Sequence, residues 1–63
     1  MNDILRKKVK LLHALQNIKY KDIAERLGVP DDSFYSWKRG LYNFGESKQI
    51  KLKEIIEELW IDE

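Results

Sequence analysis

Residues 23–40, "IAERLGVPDDSFYSWKRG", decide the fold. Ile23, Ala24, Leu27, Gly28, Val29, Phe34 and Trp37 recur at the intervals of two short helices packed across a turn. Ala24 is small, as a close helix crossing requires. Gly28, four residues on, admits the positive backbone angle that reverses the chain within three or four residues. Ile23, Leu27, Val29, Phe34 and Trp37 then fill the wedge between the helices. The plainer reading of this spacing is a generic helical hairpin with a glycine turn. Seven matching positions favour a helix-turn-helix over about residues 20–40.

Working outward, the helix before the turn spans about Tyr20 to Leu27, and Lys19 stands at its start. Lysine has no acceptor to offer, so that helix end lacks a side-chain cap. The helix after the turn starts near Pro30 or Asp31 and ends near Gly40, with Phe34, Trp37 and Leu41 pointing one way. "LYNFGES" (41–47) reads as a loop around Gly45. A first helix covers about Ile4 to Gln16, capped by Asn2 or Asp3 and ended by Asn17, which tolerates the left-handed conformation. Its apolar face carries Leu5, Val9, Leu12 and Leu15 or Gln16, widened by Ile4, Leu11 and Leu15. Arg6, Lys7, Lys8 and Lys10 lie mostly outside that face. A last amphipathic helix covers about residues 46–60, with Leu52, Ile55, Ile56 and Leu59 in one stripe. The expected fold is all-α: one domain over residues 1–63, a compact bundle of four or at most five short helices.

Sixty-three residues bury a small core, and with no cysteine there is no disulfide or thiolate metal site to reinforce it. The charges in "MNDILRKKVK" (1–10) are too dense for the apolar region of a signal peptide, and no window approaches the roughly 20 apolar residues of a membrane span. These features point to a soluble protein of the cytoplasm with no membrane partner. The net charge of +1 hides an asymmetry. Residues 1–53 carry 12 Lys and Arg against six acids, a net +6, whereas residues 54–63 carry five acids and no base. Two surfaces with different partners would explain this, as would a solvated acidic helix end.

The stretch "IKYKDIAERLGVPDDSFYSWKRG" (18–40) resembles the helix-turn-helix of the lambda-repressor-like class, which includes phage repressors, Cro proteins and xenobiotic-response-element-type bacterial regulators. The resemblance covers about residues 5–41. Residues 42–63 match only as one more amphipathic helix, where most members use two. Small-terminase subunits and transposase heads carry a similar core motif. The resemblance implies a double-stranded DNA partner in the bacterial cytosol or nucleoid, with the helix from 31 to 40 in the major groove.

Taken at 100° per residue, the side of that helix opposite Phe34 and Trp37 carries Asp32 and Arg39, flanked by Tyr35 and Ser36. Arg39 suits guanine or a phosphate, Tyr35 a thymine methyl or a phosphate, and Ser36 either role in a hydrogen bond. Lys38 leans aside, toward phosphate. Lys19, Tyr20 and Lys21 begin the preceding helix, the end that touches DNA backbone in the family. Tyr20 replaces a common glutamine there, and His13 replaces an arginine. Asp31 and Asp32 admit several readings: complementing the helix dipole, one of them or Ser33 supplying a backbone cap, Asp32 accepting from a cytosine amino group, or both weakening non-specific phosphate binding; Ser33 is counted with the DNA-binding residues. A surface for a basic protein partner is a further reading. Tyr42 and Phe44 would cover the open end of a small core, form a homodimer contact with Trp60, Ile61 or the last helix, or stack against sugar and phosphate. The expected function is a DNA-binding transcriptional regulator, a repressor of phage or mobile-element type acting as a dimer. The alternatives are a protein-interaction module (an antirepressor or an inhibitor of a host factor) and the DNA-recognition head of a packaging or transposition protein. His13 pairs with no nucleophile or metal ligand in the sequence, and no phosphate-binding glycine loop appears, so neither enzyme activity nor a cofactor is expected.

Overall fold

Trp37 has no solvent exposure, and its ring lies between Phe34 and Phe44. In the computed structural model, which describes residues 1–60, α1 (Asn2–Gln16), α2 (Tyr20–Leu27), α3 (Asp31–Lys38) and α4 (Glu46–Leu59) form an all-helical bundle without strands among those residues. α1 packs along α4, and α2 packs on both α3 and α4. Leu5, Val9 and Leu12 of α1, Ile23, Ala24 and Leu27 of α2, Phe34 and Trp37 of α3, and Leu52, Ile55 and Ile56 of α4 share one core.

The turns follow the chemistry of their residues. Asn17 ends α1 at φ 58° and Gly28 ends α2 at φ 84°, both left-handed. The Gly28 N–H donates to the carbonyls of Ala24 (2.9 Å) and Glu25 (3.2 Å), and the Val29 N–H donates to Ala24 O (3.1 Å). These bonds satisfy carbonyls that the end of α2 would otherwise leave open. Pro30 then precedes the first residue of α3, where its missing N–H costs nothing.

Several expectations need correction. Asn2 and Asp3 do not cap α1: the helix starts at Asn2 behind Met1, with no side-chain cap. Asn2 is instead a tether, its Oδ1 accepting from Trp37 Nε1–H (2.8 Å) and from the Phe44 N–H (3.0 Å). The apolar face of α1 is narrower than its sequence suggests, because Ile4, Leu11 and Leu15 are exposed. α4 and the α2–α3 corner cover only one side of that helix. Arg6, placed outside the core by its charge, is buried. α3 ends at Lys38, short of Gly40, and the chain turns there through Gly40 at φ 86°. That turn carries Leu41 off the face of Phe34 and Trp37 and leaves it exposed.

Candidate functional site

The α2–turn–α3 corner brings the start of α2 against the outer side of α3 through a row of rings. The Tyr20 ring lies 5.9 Å from that of Tyr35, edge to face, and 6.3 Å from that of buried Phe34. Lys38 lays its ammonium 3.9 Å from the Tyr20 ring centre and 4.9 Å from that of Tyr35. His13, at the end of α1, stacks on Tyr20 at 4.2 Å with 20° between planes. Its Nδ1–H donates to the Ile18 carbonyl (2.8 Å). Burial, followed by the neighbouring Tyr35 phenol, raises the Tyr20 hydroxyl above the usual tyrosine pKa. It therefore stays protonated, a neutral donor.

Lys19 and Lys21 are exposed beside this row, at a helix start with no side-chain cap. The positive end of the α2 dipole therefore stands between two exposed lysines, with exposed Asp22 in the same first turn. On α3, Asp32 and Tyr35 are exposed and Ser36 is half-buried, opposite Phe34 and Trp37, and Arg39, just past its end, is exposed. Asp32 Oδ1 accepts from the Ser33 N–H (3.0 Å), so one of its oxygens satisfies an open donor of the first turn. Half-buried Ser33 is drawn toward the loop, its carbonyl accepting from the Tyr42 hydroxyl (3.0 Å).

Tyr20, Tyr35 and Lys38 therefore meet, Lys19 and Lys21 flank them, and Arg39 stands at the far end of α3. The sequence reading missed the residues that fix the angle of α3. Arg6 donates from Nε to Trp37 O (2.6 Å), and from its Nη2 to Tyr42 O (2.7 Å) and Asn43 Oδ1 (2.9 Å). Its Nη1 meets Asp3 at 2.9 Å, and the guanidinium lies 5.1 Å from the Trp37 ring centre. One buried cation thereby ties α1 to the end of α3 and to the following loop. Phe44 stacks on Trp37 at 4.5 Å and 11°, closing the core from that loop. Phe44 is thus withdrawn from the aromatics expected to form a dimer contact, while Tyr42 remains exposed. Trp60 is half-buried, and Ile61 lies outside the described residues. The role of His13 beside Tyr20 was legible only through the Asn17 turn, which folds the last turn of α1 onto the first of α2.

Among the described residues, no group of three or more His, Cys, Asp or Glu side chains could hold a metal ion, and no helix is long and apolar enough to cross a membrane. The surface offers hydrogen-bond donors and cations together with three exposed carboxylates, Asp22 in the first turn of α2 and Asp31 and Asp32 in that of α3. No protein-family model matches the chain, and no curated protein or solved structure is significantly similar to it.

Proposed function

We propose that this chain is a non-enzymatic, sequence-specific double-stranded DNA-binding regulator of transcription, a repressor of the phage or mobile-element kind acting in the bacterial cytosol. The observation that carries the reading is the joining of the uncapped, lysine-flanked start of α2 to the outer face of α3 through Tyr20, Tyr35 and Lys38. A phosphate held at the α2 start, by amide N–H groups, Lys19, Lys21 and the Tyr20 hydroxyl, would aim α3 at the adjacent major groove. Arg39, Tyr35, Ser36 and Asp32 then face base edges, with Arg39 suited to guanine and Asp32 to a cytosine amino group. Asp31 and Asp32 also sit at the positive end of α3, so they stabilise the helix that carries them.

Counterion release tests the phosphate half of this reading. Duplex affinity is expected to fall linearly on a log–log plot against salt, and Lys21→Ala to flatten the slope by roughly 1. A salt-independent affinity would remove phosphate contact from the account.

One observation favours a second reading. Lys38 is drawn onto two rings, so the exposed side of α3 presents Asp31 and Asp32 against Arg39. A basic protein surface would suit that balance, making the corner a protein-interaction module. A stable complex with a protein partner, formed without DNA, supports this second reading.

A further inference from the structure

His13 is the only histidine in the chain, and it joins the row of rings at the α2–α3 corner. Its imidazole stacks on Tyr20 at 4.2 Å, and the Lys38 ammonium stands 3.9 Å from the centre of the same ring. The imidazole and the ammonium are therefore within about 8 Å of each other, about the Debye length at physiological salt. Tyr20, which both of them touch, is the residue whose hydroxyl the proposed function gives to a phosphate.

The chemistry of the imidazole makes this arrangement sensitive to pH. A carbonyl only accepts, so the Nδ1 that meets the Ile18 carbonyl at 2.8 Å carries the hydrogen. A second proton then enters at Nε2, and neither the bond to Ile18 nor the stack on Tyr20 has to break. Protonation adds a charge to an unchanged geometry. The charged and titratable groups around it come from three helices. Lys10 lies one turn back on α1, Lys19, Lys21 and Asp22 surround Tyr20 at the start of α2, and Lys38 and the Tyr35 phenol come from α3. Four of them are lysines and one is a carboxylate.

We infer that duplex binding at this corner is coupled to protonation of His13, so that the protein holds DNA more tightly in mild acid than at neutral pH and above. This rests on the proposed function, to whose phosphate at the α2 start it adds one further cation. An imidazolium set among lysines is repelled by them, and an arriving polyanion relieves that repulsion. Phosphate binding therefore favours the proton, and by linkage the proton favours phosphate to the same degree. The added affinity is complete at a pH where His13 is charged before DNA arrives. It is lost as pH rises through the range in which the DNA-bound imidazolium gives up its proton. Histidine is the side chain whose ordinary titration falls between pH 5 and 8. Tyr20 stays a neutral donor throughout that interval, so it contributes no competing change of charge.

Affinity for a duplex selected from a random pool, measured at about pH 5.5, 6.5 and 7.5 and one salt concentration, tests the coupling. The proteins are the wild type, His13→Gln and His13→Arg. Glutamine keeps a donor for the Ile18 carbonyl and takes no charge, whereas arginine is charged at every pH. The wild type is expected to bind roughly threefold to tenfold more tightly at the lowest pH than at the highest. Its log–log salt slope should steepen by up to about 0.9 over the same interval. Both variants should bind with an affinity that pH leaves flat, His13→Arg the tighter of the two. Duplex added to the wild type at the middle pH should move the imidazole C–H resonances of His13 toward their acid positions. A wild type that binds equally across the interval, or an acid gain that His13→Gln retains, overturns the inference and leaves the proposed function standing. No duplex binding at any of these pH values in low salt overturns both.

Discussion

Arg6 holds three segments with one guanidinium, and no local pattern announces it. Apart from Asp3, its partners lie 31 to 37 residues away, while its neighbours Lys7, Lys8 and Lys10 are ordinary exposed cations. Arg6→Ala is expected to lower unfolding stability by roughly 2–4 kcal/mol, read from chemical denaturation. The loss comes from the Trp37 and Tyr42 carbonyls and from packing on Trp37. The Asp3 contact adds little, since Asp3 is almost fully exposed. Tyr20 supplies a pH dependence. Its folded pKa lies above the unfolded value, so its contribution is complete below the unfolded pKa of about 10 and disappears as pH rises through the folded one. Stability should therefore fall in alkali, and Tyr20→Phe should reduce the slope there in thermal melts at stepped pH. Single residues were the least legible scale of the sequence. Asn2 read as a cap because caps are local, whereas its real partners, Trp37 and Phe44, are set by the tertiary fold.

Each helix boundary has a chemical cause, and most of those causes are visible in the chain. Asn17 and Gly28 stop α1 and α2 because both tolerate positive φ, and Lys19 leaves α2 uncapped as its side chain dictates. A Cβ at Gly28 would meet nothing within 4 Å, so Gly28→Ala is expected to cost roughly 1–2 kcal/mol from backbone strain alone. Lys19→Ser separates stability from binding. A serine there can cap α2, raising stability by about 0.5–1 kcal/mol, while removing a cation and occupying a free N–H. Thermal melts should therefore improve as duplex affinity falls. The widths of the buried faces were less legible than the element ends. Periodicity marks Ile4, Leu11 and Leu15 as helical and apolar, but only the placement of neighbouring helices decides what is covered. The same blindness placed Leu41 with Phe34 and Trp37, one turn beyond where α3 stops.

Across the whole molecule, the α2–α3 corner gathers donors and cations at one side of α1, and the exposed row of Ile4, Leu11 and Leu15 lies on another. Helix content and the shared core were legible from periodicity, since four amphipathic stripes in so short a chain have few ways to bury one another. The outer face of α3 was legible as a face. Its connection to the α2 start through the Tyr20, Tyr35 and Lys38 row was not, because that contact joins two helices across a turn whose angle Arg6 helps set.

The central claim is that the outer face of α3 reads bases. Its most direct test is the ratio of affinities for a duplex selected from a random pool and for a scrambled duplex of equal length, measured at one fixed salt concentration for the wild type and for Arg39→Ala. The wild type is expected to prefer the selected duplex, and Arg39→Ala to lower the ratio by a factor corresponding to about 1–3 kcal/mol, with weak non-specific binding retained. A wild type that binds neither duplex at low salt, or a ratio that Arg39→Ala leaves unchanged, would contradict it.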